Sequence, residues 1–242
     1  VIPGIQSGLP DAVLVKTIAG GSFEQVTLRL SFLHALGMLG VPVINSARAI
    51  ERCVDKSMTS FLLNRAGIPT PATLVAESDS AVSRLIAERN TEWVAKPLFG
   101  SQGRSLARLK PCAPLPPGED YAGVRYLQEF VGRDQDWRDY RVMVIGNRPV
   151  AAMIRRGRGW ITNVGRGARC EATPLTDRLA EISVAAATAV AAEYAGVDAI
   201  EGPDGALLVL EANSMPAWKG LQGVASCDIA QQLADHVLRR VG

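Results

Sequence analysis

Gly196-Val-Asp198-Ala-Ile-Glu201-Gly-Pro-Asp-Gly205-Ala-Leu-Leu-Val-Leu-Glu211-Ala-Asn213 is the stretch on which the fold turns. Its apolar halves, 196–201 and 206–213, read as two strands, and Gly202-Pro-Asp-Gly205 turns the chain between them, so the pair is an antiparallel hairpin. An Ala-rich helix expected over 177–195 feeds it, and a helix over about 228–240 closes the chain. Upstream, Tyr140–Ile145 and Pro149–Arg155 flank the turn Gly146-Asn147 and predict another hairpin. Further back come an amphipathic helix over 55–66 closed by Gly67, a short strand at Thr73–Val75, a helix over 79–90 and a strand at 93–96. A Pro-rich surface loop at Pro111–Pro117 and a strand at Tyr126–Val131 follow. The N-terminal pattern is different: strand 11–19, helix Phe23–Leu39 ending at Gly40, strand 41–45. The order is α/β first, then α+β with antiparallel pairs, which is a poor match for one continuous Rossmann sheet. It predicts a short N-terminal α/β domain (1–52) followed by two α+β lobes, a small one (53–126) and a large one (127–242).

Composition narrows the function. Of 242 residues, 48% are apolar and 21% charged, ordinary values for a soluble globular protein. No apolar run approaches a membrane span and no signal-peptide pattern opens the chain, so a cytoplasmic protein is expected. The first residue is Val1, not Met, so the natural start is expected upstream. Cys53, Cys112, Cys170 and Cys227 form no CxxC pair, which argues against a zinc or redox site. With His34 and His236 the only histidines, a Ser-His-Asp triad or histidine metal site is not indicated. The net charge of +2 is uninformative, but nine arginines, three aspartates and no lysine fall between Arg133 and Arg169. Arginine's planar fork suits phosphate and carboxylate, so this cluster points to an anionic ligand, against the plain reading of a solvated basic face.

Glu211 and Asn213 end an otherwise apolar strand two residues apart, hence on one face, and the hairpin brings Asp198 alongside. Two carboxylates and an amide oxygen are hard ligands of the kind Mg²⁺ takes; Asp198 alone reads equally well as a loop-end cap. In Lys96-Pro-Leu-Phe-Gly100-Ser101-Gln-Gly103-Arg104, a lysine at a strand end precedes a flexible loop that can surround phosphates with N–H groups. The spacing is neither a Walker A loop nor a dinucleotide GxGxxG, and alone it is an ordinary turn. Lys56, opening its helix, is a second possible phosphate contact. Gln128-Glu129-Phe130-Val131 is either a core strand or a hinge whose backbone reads adenine. Arg141, Arg155, Arg156 and Arg166, with Asn163, sit in or beside the 140–155 hairpin and its outgoing loop, where they can clamp phosphate and an acidic substrate.

In this order the motifs resemble the ATP-grasp superfamily and, within it, the RimK-type carboxylate–amine ligases. The matching stretches are Asp55-Lys56-Ser57, Val94-Ala-Lys96-Pro-Leu-Phe-Gly100-Ser-Gln-Gly103, Leu127-Gln-Glu129-Phe130 and Asp139-Tyr-Arg141. Thr162-Asn163-Val-Gly-Arg166-Gly167, Gly196-Val-Asp198 and Leu210-Glu211-Ala-Asn213-Ser-Met-Pro216 complete the set, which covers roughly residues 41–235. The resemblance implies an ATP-grasp fold, with ATP clasped between the two α+β lobes. Lys56 and Lys96 would contact its phosphates, residues 128–131 would hold adenine, and Gly100, Ser101 and Gly103 would lie in a loop closing over the phosphates. Asp198, Glu211 and Asn213 would bind Mg²⁺, typically two ions, with Mn²⁺ as a substitute. Arg141, Asn163 and Arg166 would lie near the acyl phosphate and triphosphate, and Arg155, from the hairpin arginines, is counted with them as a candidate catalytic residue.

The implied partners are ATP, an amino acid (L-glutamate above all) and a carboxylate acceptor, either a small molecule or cofactor of the tetrahydromethanopterin kind or a protein tail. Homo-oligomers are common in the family. The chain departs from the pattern at Gly167-Ala168, where a glycine pair is usual, and at Met215-Pro216-Ala217-Trp218, where a small residue and Pro-Gly are usual. Both departures lie on the substrate side. A dipeptide ligase like that for D-alanyl-D-alanine would carry different acceptor-side motifs. An arginine-rich nucleic-acid module is disfavoured by 5% aromatic content and the lack of a recognition signature.

Overall fold

The computed structural model describes residues 8–100, 103, 105–111, 113–132 and 136–242. Three sheets organise them. The N-terminal unit pairs β1 (Val13–Leu14) in parallel with β2 (Val43–Ile44), with α1 (Phe23–Met38) between them. Ser22 and Gln25 form a reciprocal cap that starts α1. The strands expected over 11–19 and 41–45 are each two residues long. Ser46 caps α2 (Ala47–Val54), a helix that the sequence pattern does not resolve. Asp55 then starts α3 (Lys56–Arg65) by accepting from the backbone N–H groups of Ser57 and Met58 at 2.8 and 3.1 Å.

The small sheet has the order β3-β6-β4-β5, all antiparallel: β3 (Thr73–Ala76), β6 (Arg125–Glu129), β4 (Trp93–Lys96) and β5 (Ala107–Leu109). It is backed by α4 (Asp79–Arg89) through Val82, Ile86, Trp93 and Leu127. β6 stops at Glu129, two residues short of expectation; the backbone N–H of Phe130 still donates to Glu92, but Val131 leaves the sheet.

The large sheet has the order β11-β10-β7-β8-β9, also antiparallel: β11 (Leu207–Asn213), β10 (Tyr194–Glu201), β7 (Arg138–Ile145), β8 (Arg148–Arg156) and β9 (Arg169–Ala172). Gly146 and Asn147 join β7 to β8 with φ of 57° and 58°, the left-handed pair that a tight hairpin of the right twist requires. One face buries Val142, Val144, Val197 and Val209 against α5 (Asp177–Ala189) and Leu63 of α3. α5 ends six residues earlier than the alanine content predicts. Its turn is made by Ala191 at φ 60°, and Ala192 donates back to Ala187, a left-handed stop that a glycine would have announced.

The other face decides where chemistry can occur. Side chains alternate along strands, so Asp139, Arg141, Met143 and Ile145 share it, as do Met153 and Arg155 on β8 and Tyr194 and Asp198 on β10. Its apolar half, Met143, Ile145, Met153 and Tyr194, is covered by α6 (Lys219–Gln222) and α7 (Ile229–Val241) through Leu221, Ile229 and Leu233. Its charged half is left facing the small sheet. The cleft between the lobes is therefore written into the polarity switch along β7 and β8.

Candidate active site

The register sets a charged row across the large sheet: Arg141 lies beside Asp198, and Asp198 beside Glu211. Asp139, two residues before Arg141, lies beside Arg155. Arg155 donates to both oxygens of Asp139 at 2.7 and 2.6 Å and reaches Asp198 at 2.8 Å; all three side chains are about 5% exposed. Arg141 grips the same Asp198 in bidentate fashion, at 2.6 Å on its Nη2, and lies 3.9 Å from Glu211. Burial works against charge on Asp198, yet Arg141 and Arg155 carry its pKa well below the usual carboxylate value. Burial raises the Asp139 carboxyl, and Arg155 only partly offsets it. The Thr162 hydroxyl donates to Asp139 at 2.6 Å, tying the outgoing loop to this network.

The small lobe supplies the opposite wall. Lys96, at the end of β4, donates to Gln128 Oε1 on β6 at 2.6 Å. Burial holds its ammonium below the ordinary lysine value, with Glu211 opposing. Among the described residues Gln128 Nε2, which is buried, finds no partner, so its amide donor is left over. The Lys56 ammonium donates to the carbonyls of Pro97, Leu98 and Gly100 at 2.9, 3.2 and 2.9 Å, so it pins the start of the glycine loop. At Gly103, φ is 67° and an added Cβ would lie 2.5 Å from Asn163 Oδ1, so the loop docks on the large lobe there. Arg166 completes the latch, donating from Nη2 to the Gly103 carbonyl at 3.0 Å.

The enclosed cleft measures about 1020 Å³ including its open mouth. Of the residues expected in the site, Lys56, Lys96, Gly100, Gly103, Gln128, Glu129, Phe130, Val131, Arg155, Asn163, Asp198 and Glu211 all line it. Ser101 lies outside the described residues. Arg141 and Arg166 do not line the cleft; Arg141 is bound to Asp198, and Arg166, exposed, donates to the Gly103 carbonyl. Asn213 does not line the cleft; its Oδ1 accepts from the backbone N–H of Met215. Asp139, Trp137 and Trp160 join the lining, although the sequence does not mark them as site residues. Phe130 packs edge-on against both tryptophans, with ring centroids 6.2 Å apart in each case. Asp139 shares a face with Arg141 but is found only through the pairing of β7 with β8; nothing local distinguishes the tryptophans from core residues.

Asp198 and Glu211 fit a hard divalent cation by donor type, being adjacent carboxylates on one sheet face. Among the described residues no third carboxylate, histidine or cysteine joins them. A cation at Asp198 would share that carboxylate with two guanidinium groups.

Likeness to known proteins decides the family. A family model described as RimK-like ATP-grasp domain matches residues 53–237. The chain belongs to the RimK-like ATP-grasp family. Among curated relatives, the tetrahydromethanopterin:α-L-glutamate ligase of Methanococcus maripaludis is 40% identical over 205 residues, covering 82% of this chain and 70% of the relative. The enzyme of the same name from Methanocaldococcus jannaschii is 35% identical over 240 residues, 96% of this chain and 80% of the relative. Among solved structures, the ATP-grasp ligase PsnB complexed with minimal precursor superimposes with a TM-score of 0.74 at 26% identity, over 96% of this chain and 80% of that one. The D-alanine–D-alanine ligase of Bacillus anthracis, at 17% identity and a TM-score of 0.63 over 87% of this chain and 74% of that one, shares the fold. The ATP-grasp ligase fold and family expected from the motifs are thus shown, and among the described residues no helix is long and apolar enough to cross a membrane.

Proposed function

We propose that this RimK-like ATP-grasp ligase adds L-glutamate to a carboxylate of a cofactor-type small molecule through an acyl phosphate. The observation that carries the reading is the Arg141–Asp198–Glu211 row facing Lys96 across the cleft. It sets cations and carboxylates of opposite lobes around one space. The relatives' names supply the amine and the acceptor class.

An acceptor carboxylate oxygen attacks the γ-phosphorus of ATP, and the bond to ADP breaks. The amine nitrogen of glutamate then attacks the acyl carbon, phosphate leaves, and the amine gives up a proton. Lys96 faces the phosphates, Gln128 Nε2 offers its free N–H, and the 128–131 segment with Phe130 holds the base. Mg²⁺, when bound, offsets phosphate charge, and Asp198 and Glu211 are the residues that would hold it, with Asn213 joining if its turn to Met215 opens. Arg141 and Arg155, already oriented by carboxylates, present fixed positive charge where the acyl oxygen becomes negative. The Gly103–Asn163–Arg166 latch keeps water from the acyl phosphate. Most of the rate enhancement then comes from positioning, and no protein nucleophile is needed.

Hydroxylamine tests the reading by replacing the amine. With ATP, Mg²⁺ and an acceptor, the enzyme should form the acceptor's hydroxamate in proportion to ADP. ADP formation with acceptor but no hydroxamate at high hydroxylamine contradicts an acyl phosphate.

A further inference from the structure

The edge of the large sheet is irregular where it carries the carboxylates. β11 is an edge strand, and the β10–β11 ladder shifts register between Asp198, which faces Glu211, and Ala199, which faces Val209. Leu210 is therefore a bulge residue with no partner on β10. The pairs Asp198–Glu211, Val197–Ala212 and Gly196–Asn213 form a short block beyond the bulge. Before the bulge, β11 is tied from its outer side: the Val209 N–H donates to the Pro69 carbonyl at 2.8 Å, and the Val209 carbonyl accepts from the Thr70 hydroxyl at 2.8 Å. After Asn213 the chain turns and the ladder ends.

Asn45 stands at that end. It follows β2 and is fully buried. Its Nδ2 donates to the carbonyls of Tyr194 and Ser214, each at 2.7 Å. Its Oδ1 accepts from the N–H groups of Glu193 and Tyr194 at 2.6 and 3.2 Å. Two donors and two acceptor sites are the whole capacity of an amide, and all are used. The exchange of two bonds with Tyr194 is the one a facing strand residue makes, and here a side chain takes that place because β11 has already turned. The bond to Ser214 fixes the residue next to Asn213; the Cys53 thiol beside Ser214 is a weaker partner.

We propose that Asn45 is a positioning residue for the charged row. By joining Tyr194 to Ser214 it closes the free end of the block and sets the spacing of Asp198, Glu211 and Asn213 for a divalent cation bound with the nucleotide. What the row holds rests on the ligase reading; the clamp itself rests on the register and the four hydrogen bonds. None of those bonds goes to Asp198, Glu211 or Asn213, so Asn45 acts through the backbone. The turn after β11 lies directly on β10: a Cβ built on Gly196 would be 2.8 Å from Pro216 Cβ. Two anchors, at Val209 and at Ser214, thus bracket the bulge. Loss of the first disturbs the sheet before the block, and loss of the second disturbs the block itself.

That asymmetry supplies the test. Mn²⁺ binding to the protein carrying the non-hydrolysable ATP analogue AMPPNP would be measured by electron paramagnetic resonance, with thermal melts reporting the fold. Asn45→Ala should weaken Mn²⁺ binding by about tenfold, the size of effect common for residues that support metal ligands. Gly196→Ala keeps Asn45 but pushes Pro216 off β10, and it should weaken Mn²⁺ binding as well. Thr70→Val, which removes the anchor before the bulge, should lower the melting temperature and leave Mn²⁺ binding unchanged. Should Asn45→Ala fail to fold, Gly196→Ala set against Thr70→Val decides. Wild-type Mn²⁺ affinity in folded Asn45→Ala or Gly196→Ala, or an equal loss in Thr70→Val, overturns the proposal and leaves the ligase reading intact. A wild type that binds neither AMPPNP nor Mn²⁺ defeats the ligase reading instead.

Discussion

Arg155→Met tests the buried network behind the cleft. The guanidinium is about 5% exposed and serves two carboxylates that are equally buried, so solvent has little access to take its place. Its removal leaves Asp198 with Arg141, but leaves Asp139, among the described residues, with only the Thr162 hydroxyl. An uncompensated buried carboxylate typically costs about 3–5 kcal/mol, a large part of a domain's stability. With a urea dependence of about 2–3 kcal/mol per molar, the unfolding midpoint should fall by about 1–2 M. The loss should also depend on pH in a set direction. Burial already raises the Asp139 carboxyl, and without Arg155 it rises further. A carboxyl whose folded pKa lies above its unfolded one stabilises the fold at low pH and forfeits that contribution as pH rises through the folded value. The variant's deficit should therefore be smaller at pH 5 than at pH 8, and Asp139→Asn added to Arg155→Met should restore part of it. Urea titrations at the two pH values measure this. A deficit below about 1 kcal/mol, the worth of an exposed ion pair, and equal at both pH values would refute the buried network.

Three further outcomes follow from the same geometry. Gly103→Ala should raise the KM for ATP with little loss of stability, because its Cβ would strike Asn163 and its φ of 67° disfavours a side chain; steady-state kinetics and thermal melts separate the two effects. Lys96→Met should abolish measurable AMPPNP binding while the fold survives, since among the described residues Lys96 makes one hydrogen bond, to Gln128; calorimetry with circular dichroism decides it. Asp198 has a folded pKa below its unfolded value near 3.8, so the unfolded chain takes up a proton first as pH falls. Its contribution to stability is present above that value and lost on acidification through the folded pKa. The acid limb of the stability profile below about pH 4 should be shallower in Asp198→Asn.

Much of this site is legible in the amino-acid sequence, for a physical reason. Strand alternation is local, so Glu211 and Asn213, two residues apart, announce a polar end on an apolar strand, whereas Asp139 is found only once β7 is paired. The sheet register only has to place Asp198 between Arg141 and Glu211. What stays hidden depends on long-range contact. Whether Lys56 reaches for a ligand or for the carbonyls of residues 97–100 is set by a loop more than forty positions away. Trp137 and Trp160 join Phe130 only through the folded cleft, and Lys16 meets Trp218 across nearly the whole chain. The end of α5 escapes a reading of residue types because Ala191 takes a conformation that its identity does not advertise. The two-residue strands of the N-terminal unit are shorter than their apolar runs, because burial and pairing are separate demands and only two positions on each strand are paired.

The proposed ligase couples ATP cleavage to amide formation at the Asp198–Glu211 row. ADP release with ATP and Mg²⁺, scanned over amino acids and carboxylate acceptors, tests it most directly, with Glu211→Ala as the control. ADP formation should require an acceptor carboxylate, be drawn through to amide by L-glutamate, and be lost in Glu211→Ala although AMPPNP still binds. ADP release that ignores the acceptor, or that persists undiminished in Glu211→Ala, would contradict this coupling.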